Sequence, residues 1–483
     1  MKNLVDNKTI YNLFISFAIV CFIFLWDFND VEEKPFLENP LLNFRYWILL
    51  LIFPTIFLIV NKIKNKNFFF YINFFLISFL FIFHILINQL LLEQSIQISI
   101  FYGLIFFLLI YFISYFNFHK ITENLDLIIY IWIIIFVIAS FISLINYEYD
   151  APYFCGIVKN YFNYPLERHQ SINVRLSDYN LSFKHILFNE NSHIGMTAPA
   201  IIIYSIYKIT VKQKNKLFAF CAVLFLIICL IKSSTTLLVG TIISIFVITL
   251  FNFRYIPKKT LIGFILIFFS FIAIILNDKQ CKVRFIPEYD QVNFISKKVT
   301  EFTKNFLFKN DKKVNSIINP ELQEKNCEPD CVDILSGSAS SAVFFRSLLI
   351  TKYSLSIRPF GWGMNRYSDG YDAYMKLQDE EYLVGGKFND RMKLIYNYNR
   401  KGGVNNFNKI IVEFGYLSIF YFIFIFLYLI DRKIGLEKKL FFLPIILTQM
   451  IKGAGYFNAG FALILILMFF TYLYRDQKNK SNK

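Results

Sequence analysis

Residues 127–146 read LIIYIWIIIFVIASFISLIN, a run of twenty residues without a charged side chain. A helix of about 20 residues is about 30 Å long, which matches the thickness of the hydrocarbon core of a bilayer. A single Asp, Lys or Arg at mid-bilayer costs about 2.5–3.5 kcal/mol on the insertion scale. A run that is this long and free of charge therefore indicates a membrane-spanning helix.

The rest of the chain repeats the pattern. Of its 483 residues, 56% are hydrophobic and 17% are charged, whereas an ordinary soluble domain has about 25% charged residues. We predict an all-α polytopic membrane protein with about twelve transmembrane helices, and this composition excludes an ordinary soluble fold. The eleven further predicted spans are 10–26, 44–60, 68–88, 98–117, 193–210, 217–231, 236–252, 260–276, 409–430, 440–454 and 457–474.

The formal net charge of +16 comes from short basic clusters between apolar runs rather than from a basic face, which argues against nucleic acid as a partner. Lys and Arg concentrate in cytoplasmic connections of membrane proteins. The clusters fall in alternate connections, so we predict that both termini are cytoplasmic. The basic residues concerned are Lys62, Lys64, Lys66, Lys120, Lys208, Lys212, Lys214, Lys216, Arg254, Lys258, Lys259, Arg432, Lys433, Lys438 and Lys439.

Two long connections, 147–192 and 277–408, fall on the opposite, outer side. A structureless loop of the second size is improbable, so we predict a large structured outer (periplasmic) loop domain at 277–408. It follows transmembrane helices 1–9 in residues 1–276 and precedes helices 10–12 and a cytoplasmic tail in residues 409–483. Within the loop, the residue spacing predicts a helix at 341–353 and turns at 367–370 and 402–406.

Cysteine usage agrees with this sidedness. Cys155, Cys281, Cys327 and Cys331 all fall in the two outer connections. In an oxidising compartment these four could form two disulfides, with three pairings that the sequence does not separate. A metal site at Cys327 and Cys331 is the rival reading, and we favour it less because the large loop contains no His.

The outer connections also hold most of the side chains that could carry chemistry. A guanidinium group stays charged and binds phosphoryl oxygens in pairs, although a single Arg at a membrane surface often only contacts lipid headgroups. We select four arginines as candidate substrate-binding residues and two residues close to the start of the span at 193–210 as candidate catalytic residues. They are Arg175, Arg346, Arg358 and Arg366, and Glu190 and His193.

Each candidate catalytic residue has a second interpretation. Glu190 is a candidate general base with a pKa raised by partial burial, or a carboxylate that complements a helix dipole. His193 could donate a hydrogen bond to substrate or simply occupy the first turn of a helix. Nearby motifs are also ambiguous: Gly361 and Gly363 would permit a turn whose amides face an anion, and Glu413 with Gly415 fits helix packing better than catalysis.

Together these features resemble the superfamily of O-antigen polymerases and O-antigen ligases. The resemblance rests on about twelve spans, a late outer loop, Arg346 followed by PFGWG at 359–363, and Asn405 and Asn406 followed by VEFG at 412–415. The segments at 175–195 and 233–236 are similar to two further family positions. The likeness covers residues 170–430.

This resemblance implies an inverting, metal-independent glycosyl transfer without a cofactor, at the outer face of the bacterial cytoplasmic (inner) membrane. The donor would be a glycan on undecaprenyl diphosphate, with Arg346 and Arg175 as the residues that hold the diphosphate. The expected partners are that lipid-linked glycan, membrane lipid and a regulator of chain length, and no nucleic acid is expected.

Three further readings stay open beside a polymerase. Ligases of this superfamily carry a His before the Asn at the end of the large loop, where this chain reads GGVNNFN, so the polymerase is preferred over the ligase. A flippase or transporter without chemistry explains the spans but not the size of the loop. A metal-dependent glycosyltransferase that uses Asp27 and Asp30 is the third reading.

Overall fold

The structure is a computed structural model that describes residues 7–25, 51, 98–145, 187, 191–211, 216–231, 235–277, 339–382, 403–453, 455–456 and 458–475. Within these residues all regular secondary structure is helical. The predicted spans 44–60 and 68–88 lie outside the described residues, apart from residue 51. So do Arg175, Glu190 and the four loop cysteines.

The described helices coincide with the remaining predicted spans and add two in the large loop. They are α1 (Asn7–Phe24), α2 (Ile98–Glu123), α3 (Leu125–Ile145), α4 (Asn191–Val211), α5 (Lys216–Ile231), α6 (Thr235–Asn252), α7 (Lys258–Asn277), α8 (Ala339–Ile357), α9 (Tyr367–Tyr382), α10 (Asn406–Phe414), α11 (Ser418–Ile430), α12 (Leu436–Ile451) and α13 (Phe461–Leu473). Short 3-10 turns follow α6 at Phe253–Tyr255 and α10 at Gly415–Leu417.

Five stretches are long and apolar enough to cross a membrane, which is the architecture of a helical membrane protein. They are Ile105–Glu123, Leu125–Ile142, His193–Val211, Thr236–Tyr255 and Asn406–Ile430. Shorter apolar helices occur at Thr9–Phe24, Lys216–Cys229 and Phe461–Leu473. The predicted class, all-helical and membrane-embedded, is confirmed at this level.

The centre of the bundle consists of α4, α6 and α12, which pack against one another. The stretch His193–Val211 in α4 is 78% buried, compared with 33–44% for the other four candidate spans. Small residues make this packing close. A Cβ on Gly195 would lie 2.6 Å from the backbone nitrogen of Leu237, and one on Gly240 would lie 2.6 Å from Thr448.

One end of the bundle, which we call the basic end, gathers several charged pairs. The Lys208 ammonium lies 2.9 Å from Asp126 and 3.1 Å from Glu437. Lys439 donates to Asn252 at 2.8 Å and to the carbonyl of Leu429 at 2.7 Å. These contacts join the ends of α4, α6 and α11 to the starts of α3 and α12.

The opposite end, which we call the asparagine end, contains a chain of uncharged polar side chains. It comprises the start of α4, the end of α12, the start of α10 and the segment before α13. Asn406 donates to Gln449 at 3.3 Å, Gln449 donates to the carbonyl of Ala459 at 2.9 Å, and Ala459 packs on Met196. Together with the contacts at the basic end, these contacts define which terminus of each central helix lies at which end of the bundle.

Two helices of the large loop form a hairpin at this half of the bundle. The helix predicted at 341–353 is confirmed, and it extends over the whole of α8. The turn predicted at 367–370 is wrong, because α9 begins at Tyr367. The span predicted at 409–430 is interrupted, since Gly415 has φ +57° and ψ −136° and separates α10 from α11.

Candidate functional site

The turn of the α8–α9 hairpin, residues 358–366, lies against the end of α10. The N–H of Trp362 donates to the carbonyl of Val412 at 3.0 Å, and the N–H of Gly363 donates to the carbonyl of Glu413 at 2.9 Å. In return, the N–H of Tyr416 donates to the carbonyl of Pro359 at 2.8 Å. The PFGWG and VEFG motifs, about fifty positions apart in the sequence, are therefore in direct contact.

Two glycines make this approach possible. Gly361 has φ +83°, and a Cβ there would lie 2.3 Å from the carbonyl oxygen of Glu413. Gly415 has φ +57°, and a Cβ there would lie 2.0 Å from the carbonyl oxygen of Pro359. A side chain at either position would have to displace backbone, so both motifs need glycine for a steric reason.

The Glu413 carboxylate is completely buried and accepts hydrogen bonds from the turn. One oxygen accepts the N–H of Asn365 at 2.9 Å and the hydroxyl of Tyr456 at 2.6 Å. The other accepts the N–H of Tyr367 at 3.2 Å and the ammonium of Lys409 at 2.6 Å. Four donors thus converge on one carboxylate and tie the hairpin to α10 and to the segment before α13.

This arrangement makes Glu413 a structural anion rather than a catalytic base. Both of its oxygens accept two hydrogen bonds, so no lone pair remains free to take a proton from substrate. The Lys409 side chain, 4% exposed, also faces the ring of Tyr456 at 5.0 Å. The pair is therefore enclosed, and its charges compensate each other locally.

Arg358 differs from its neighbours because it forms no ion pair within the described residues. Its guanidinium stacks over the ring of Trp362 at 4.0 Å, and its buried Nη1 has no hydrogen-bond partner in the part of the chain that the structure describes. Burial lowers the pKa of Arg358, and the positive charge of Arg366 lowers it further, while Asp369 acts in the opposite direction. A guanidinium group in such an environment is stabilised when it binds an anion.

Arg366 is close enough to Arg358 to affect its pKa, but Arg366 already has an ion-pair partner. Its guanidinium is mostly buried and forms an ion pair with Asp369, one helical turn later. Lys409 is likewise paired with Glu413. Among these charged side chains of the described chain, Arg358 is left as the cation without an ion-pair partner.

The asparagines that precede VEFG are all completely buried. The Asn405 side chain caps α10 by accepting the N–H of Asn408 at 2.7 Å, and the Asn408 amide donates to Ser347 at 2.5 Å. Asn405 therefore has a helix-capping role. The amide nitrogen of Asn405 and the amide oxygen of Asn408 have no partner.

The structure brings together some of the predicted site residues and leaves others apart. Arg358 and Arg366 interact across the hairpin turn. Arg346 lies on α8 beside Ser347, hence close to the start of α10, about 16 Å along the helix axis from Ile357. Its side chain is outside the described part, as are Arg175 and Glu190. His193 is half-buried in the first turn of α4, at the asparagine end.

The sequence interpretation did not identify the central role of Glu413. A signal for it exists, because Lys409 and Glu413 are spaced i, i+4 within an otherwise apolar run, where charges occur mainly as pairs. No spacing rule connects them to the amides of residues 365 and 367, which are more than forty positions away.

No protein-family model matches this chain, and no curated protein or solved structure shows detectable similarity to it.

Proposed function

We propose that this protein is a metal-independent glycosyltransferase of the O-antigen polymerase type. It would join repeat units carried on undecaprenyl diphosphate, at the outer face of the bacterial cytoplasmic membrane. The observation that carries the proposal is the uncompensated guanidinium of Arg358, held on Trp362 beside Arg366 in a chain with candidate membrane spans.

The proposed glycosyl transfer requires a positively charged group of this kind. When a glycosidic bond to a lipid diphosphate breaks, negative charge grows on the departing diphosphate. Positive donors that are already in position stabilise that charge without having to reorganise. In this proposal Arg358 and Arg366 take the diphosphate, Arg346 and Arg175 contribute from the positions that the resemblance indicates, and Glu190 and His193 are the candidates to accept the acceptor's proton.

The proposed orientation puts the asparagine end and the hairpin outside, with twelve spans and both termini in the cytoplasm. It is supported by the segregation of charge in the bundle. Lys208, Lys439 and Arg475 lie at the basic end, where positively charged cytoplasmic connections are expected. A chain-length regulator and membrane lipid are the proposed partners besides the substrate.

Polymerisation is proposed rather than ligation because the end of the large loop reads GGVNNFN and lacks the His that ligases of the superfamily carry before the Asn. The side chain of Asn405 in this segment caps a helix and cannot serve as a general base. A ligase-type mechanism would require a titratable group in this segment.

The direct test is incubation of the purified protein in detergent with undecaprenyl-diphosphate-linked repeat units, with product length followed by gel electrophoresis. We expect longer glycans from the wild-type protein, also in the presence of a chelator. The substitution Arg358→Gln should reduce the rate about 100-fold or more, the usual cost of one lost charge-stabilising donor. Arg432→Gln, at an exposed arginine next to the basic end, is the matched control and should leave the rate unchanged.

A second variant, Arg346→Ala, should abolish polymer while the amount of protein in the membrane stays the same. Failure of the wild-type protein to lengthen any glycan would contradict the proposal and favour a flippase. Loss of activity on chelation would favour a metal-dependent transferase instead.

A further inference from the structure

The tip of the α8–α9 hairpin, residues 357–360, presents apolar side chains to the outside of the protein. Ile357 and Phe360 are each 49% exposed, and Pro359 between them is exposed as well. We infer that this tip is inserted among the acyl chains of the bilayer leaflet at the asparagine end. The inference depends on the candidate spans and not on glycosyl transfer.

The apolar surface of the tip continues onto a candidate membrane span. The hydrogen bond from the N–H of Tyr416 to the carbonyl of Pro359 places the tip directly at the start of α11. There Tyr416, Ile419 and Phe420 are 63%, 53% and 68% exposed. An uninterrupted apolar surface of this kind on a membrane protein is covered by lipid, because soluble surfaces seldom carry large apolar patches.

The length of α11 gives the depth of the tip. The rise from Ile430 back to Tyr416, through α11 and the 3-10 turn, is about 22 Å. The hydrocarbon core is about 30 Å thick. Asp431, Arg432 and Lys433 follow α11 at once and mark the other boundary. Tyr416 and the adjoining Pro359 therefore lie about 8 Å inside the boundary at the asparagine end.

The backbone of the turn is suited to this location. Non-helical backbone is tolerated in the hydrocarbon region only where its polar groups are satisfied by the protein. Here seven of the backbone N–H groups between residues 358 and 367 find acceptors in the hairpin itself or at the end of α10. Satisfied N–H groups are those of Arg358, Gly361, Trp362, Gly363, Asn365, Arg366 and Tyr367.

The side chains at the tip are compatible with lipid as well. The hydroxyl of Ser356 donates to the carbonyl of Tyr353 at 2.7 Å and so needs no water. Arg358 is the one charged residue between positions 353 and 365. Its guanidinium lies over the ring of Trp362. In combination with the proposed function, insertion presents Arg358 to a lipid-linked diphosphate from within the bilayer.

Photo-crosslinking in nanodiscs of phosphatidylglycerol and phosphatidylcholine tests the insertion on the full-length protein. The photoreactive residue p-benzoylphenylalanine replaces Phe360 in one variant and Ile357 in a second. It replaces Phe420, on the exposed face of α11, in a lipid-facing control, and the exposed Lys376 of α9 in a control expected to face water. Adducts with lipid are detected by mass spectrometry of the tryptic peptides.

We expect position 360 to form lipid adducts with a yield that matches position 420, and position 376 to form few. A yield at 360 and 357 no higher than at 376 would overturn the inference. Absence of adducts at 420 would overturn it too, because the argument depends on a lipid-covered α11. If the variant at 360 does not assemble, position 357 decides alone. No outcome requires a glycan, so a failure here is separate from a failure of the proposed function.

Discussion

Replacement of Glu413 by alanine is the perturbation with the largest expected effect on stability. The carboxylate receives four hydrogen bonds and is completely buried. Its removal leaves the ammonium of Lys409, the hydroxyl of Tyr456 and two backbone N–H groups without an acceptor in a region that water does not reach.

The magnitude follows from the buried pair. Removal of one partner of a buried ion pair costs about 3–5 kcal/mol, because the other charge remains uncompensated. We therefore expect Glu413→Ala to lower the free energy of unfolding by at least that amount. Glu413→Gln keeps one acceptor oxygen but also leaves the charge of Lys409 uncompensated, so it should still cost about 3–5 kcal/mol. Combined with Lys409→Met, it should cost less than the sum of the two single changes.

The assay is equilibrium unfolding in mixed micelles of dodecyl maltoside and dodecyl sulfate, with wild type and variants side by side. Glu437→Gln is the matched control, since Glu437 is partly exposed and Lys208 keeps Asp126 as a partner. It should cost less than about 1 kcal/mol. The reasoning is refuted if Glu413→Ala costs no more than Glu437→Gln, or if the double variant shows no coupling.

Two further predictions use the same assay. Gly361→Ala and Gly415→Ala should each lower the free energy of unfolding by about 2–3 kcal/mol, because the backbone conformation is strained for alanine and the Cβ overlaps a carbonyl. The control Gly435→Ala, with no atom within 4 Å of its Cβ, should stay within about 0.5 kcal/mol of the wild type. Equal effects at the three positions would contradict the proposed contact. Lys439→Met should cost about 1–3 kcal/mol, because the amide oxygen of Asn252 loses its donor and the carbonyl of Leu429 keeps the 3.3 Å hydrogen bond from the amide nitrogen of Asn252 but loses that from Lys439. A value as small as that of Lys433→Met, at an exposed position, would argue against the buried role.

Much of the fold follows from local composition. A run such as 127–146 spans a bilayer as a helix whatever lies beside it, because an unpaired backbone group in hydrocarbon is too costly for other conformations. For the same reason the helices α3 to α7 begin and end within two residues of the predicted spans. The helix at 341–353 could also be predicted from the sequence, since its apolar residues repeat at helical spacing.

Other elements depend on partners that are distant in the sequence. The segment 367–370 has the composition of a turn, yet the amide of Tyr367 is held by Glu413 and a helix starts there. The break at Gly415 is invisible in hydropathy, because α10 and α11 form one continuous apolar run. The structure shows the break in the non-helical φ of +57° and ψ of −136° at Gly415, where the carbonyl of Pro359 occupies the space that a Cβ would need.

The sequence by itself determined that this chain is helical and embedded in a membrane, and it identified Arg358 and Arg366 as candidates. The length of an apolar run and the absence of charged residues within it are local properties, so they can be recognised in the amino-acid sequence alone. Only the tertiary structure decided which of the charges cancel. Ion pairing depends on distances of a few ångströms between segments far apart in the chain, and those distances leave Arg358 uncompensated and Glu413 enclosed.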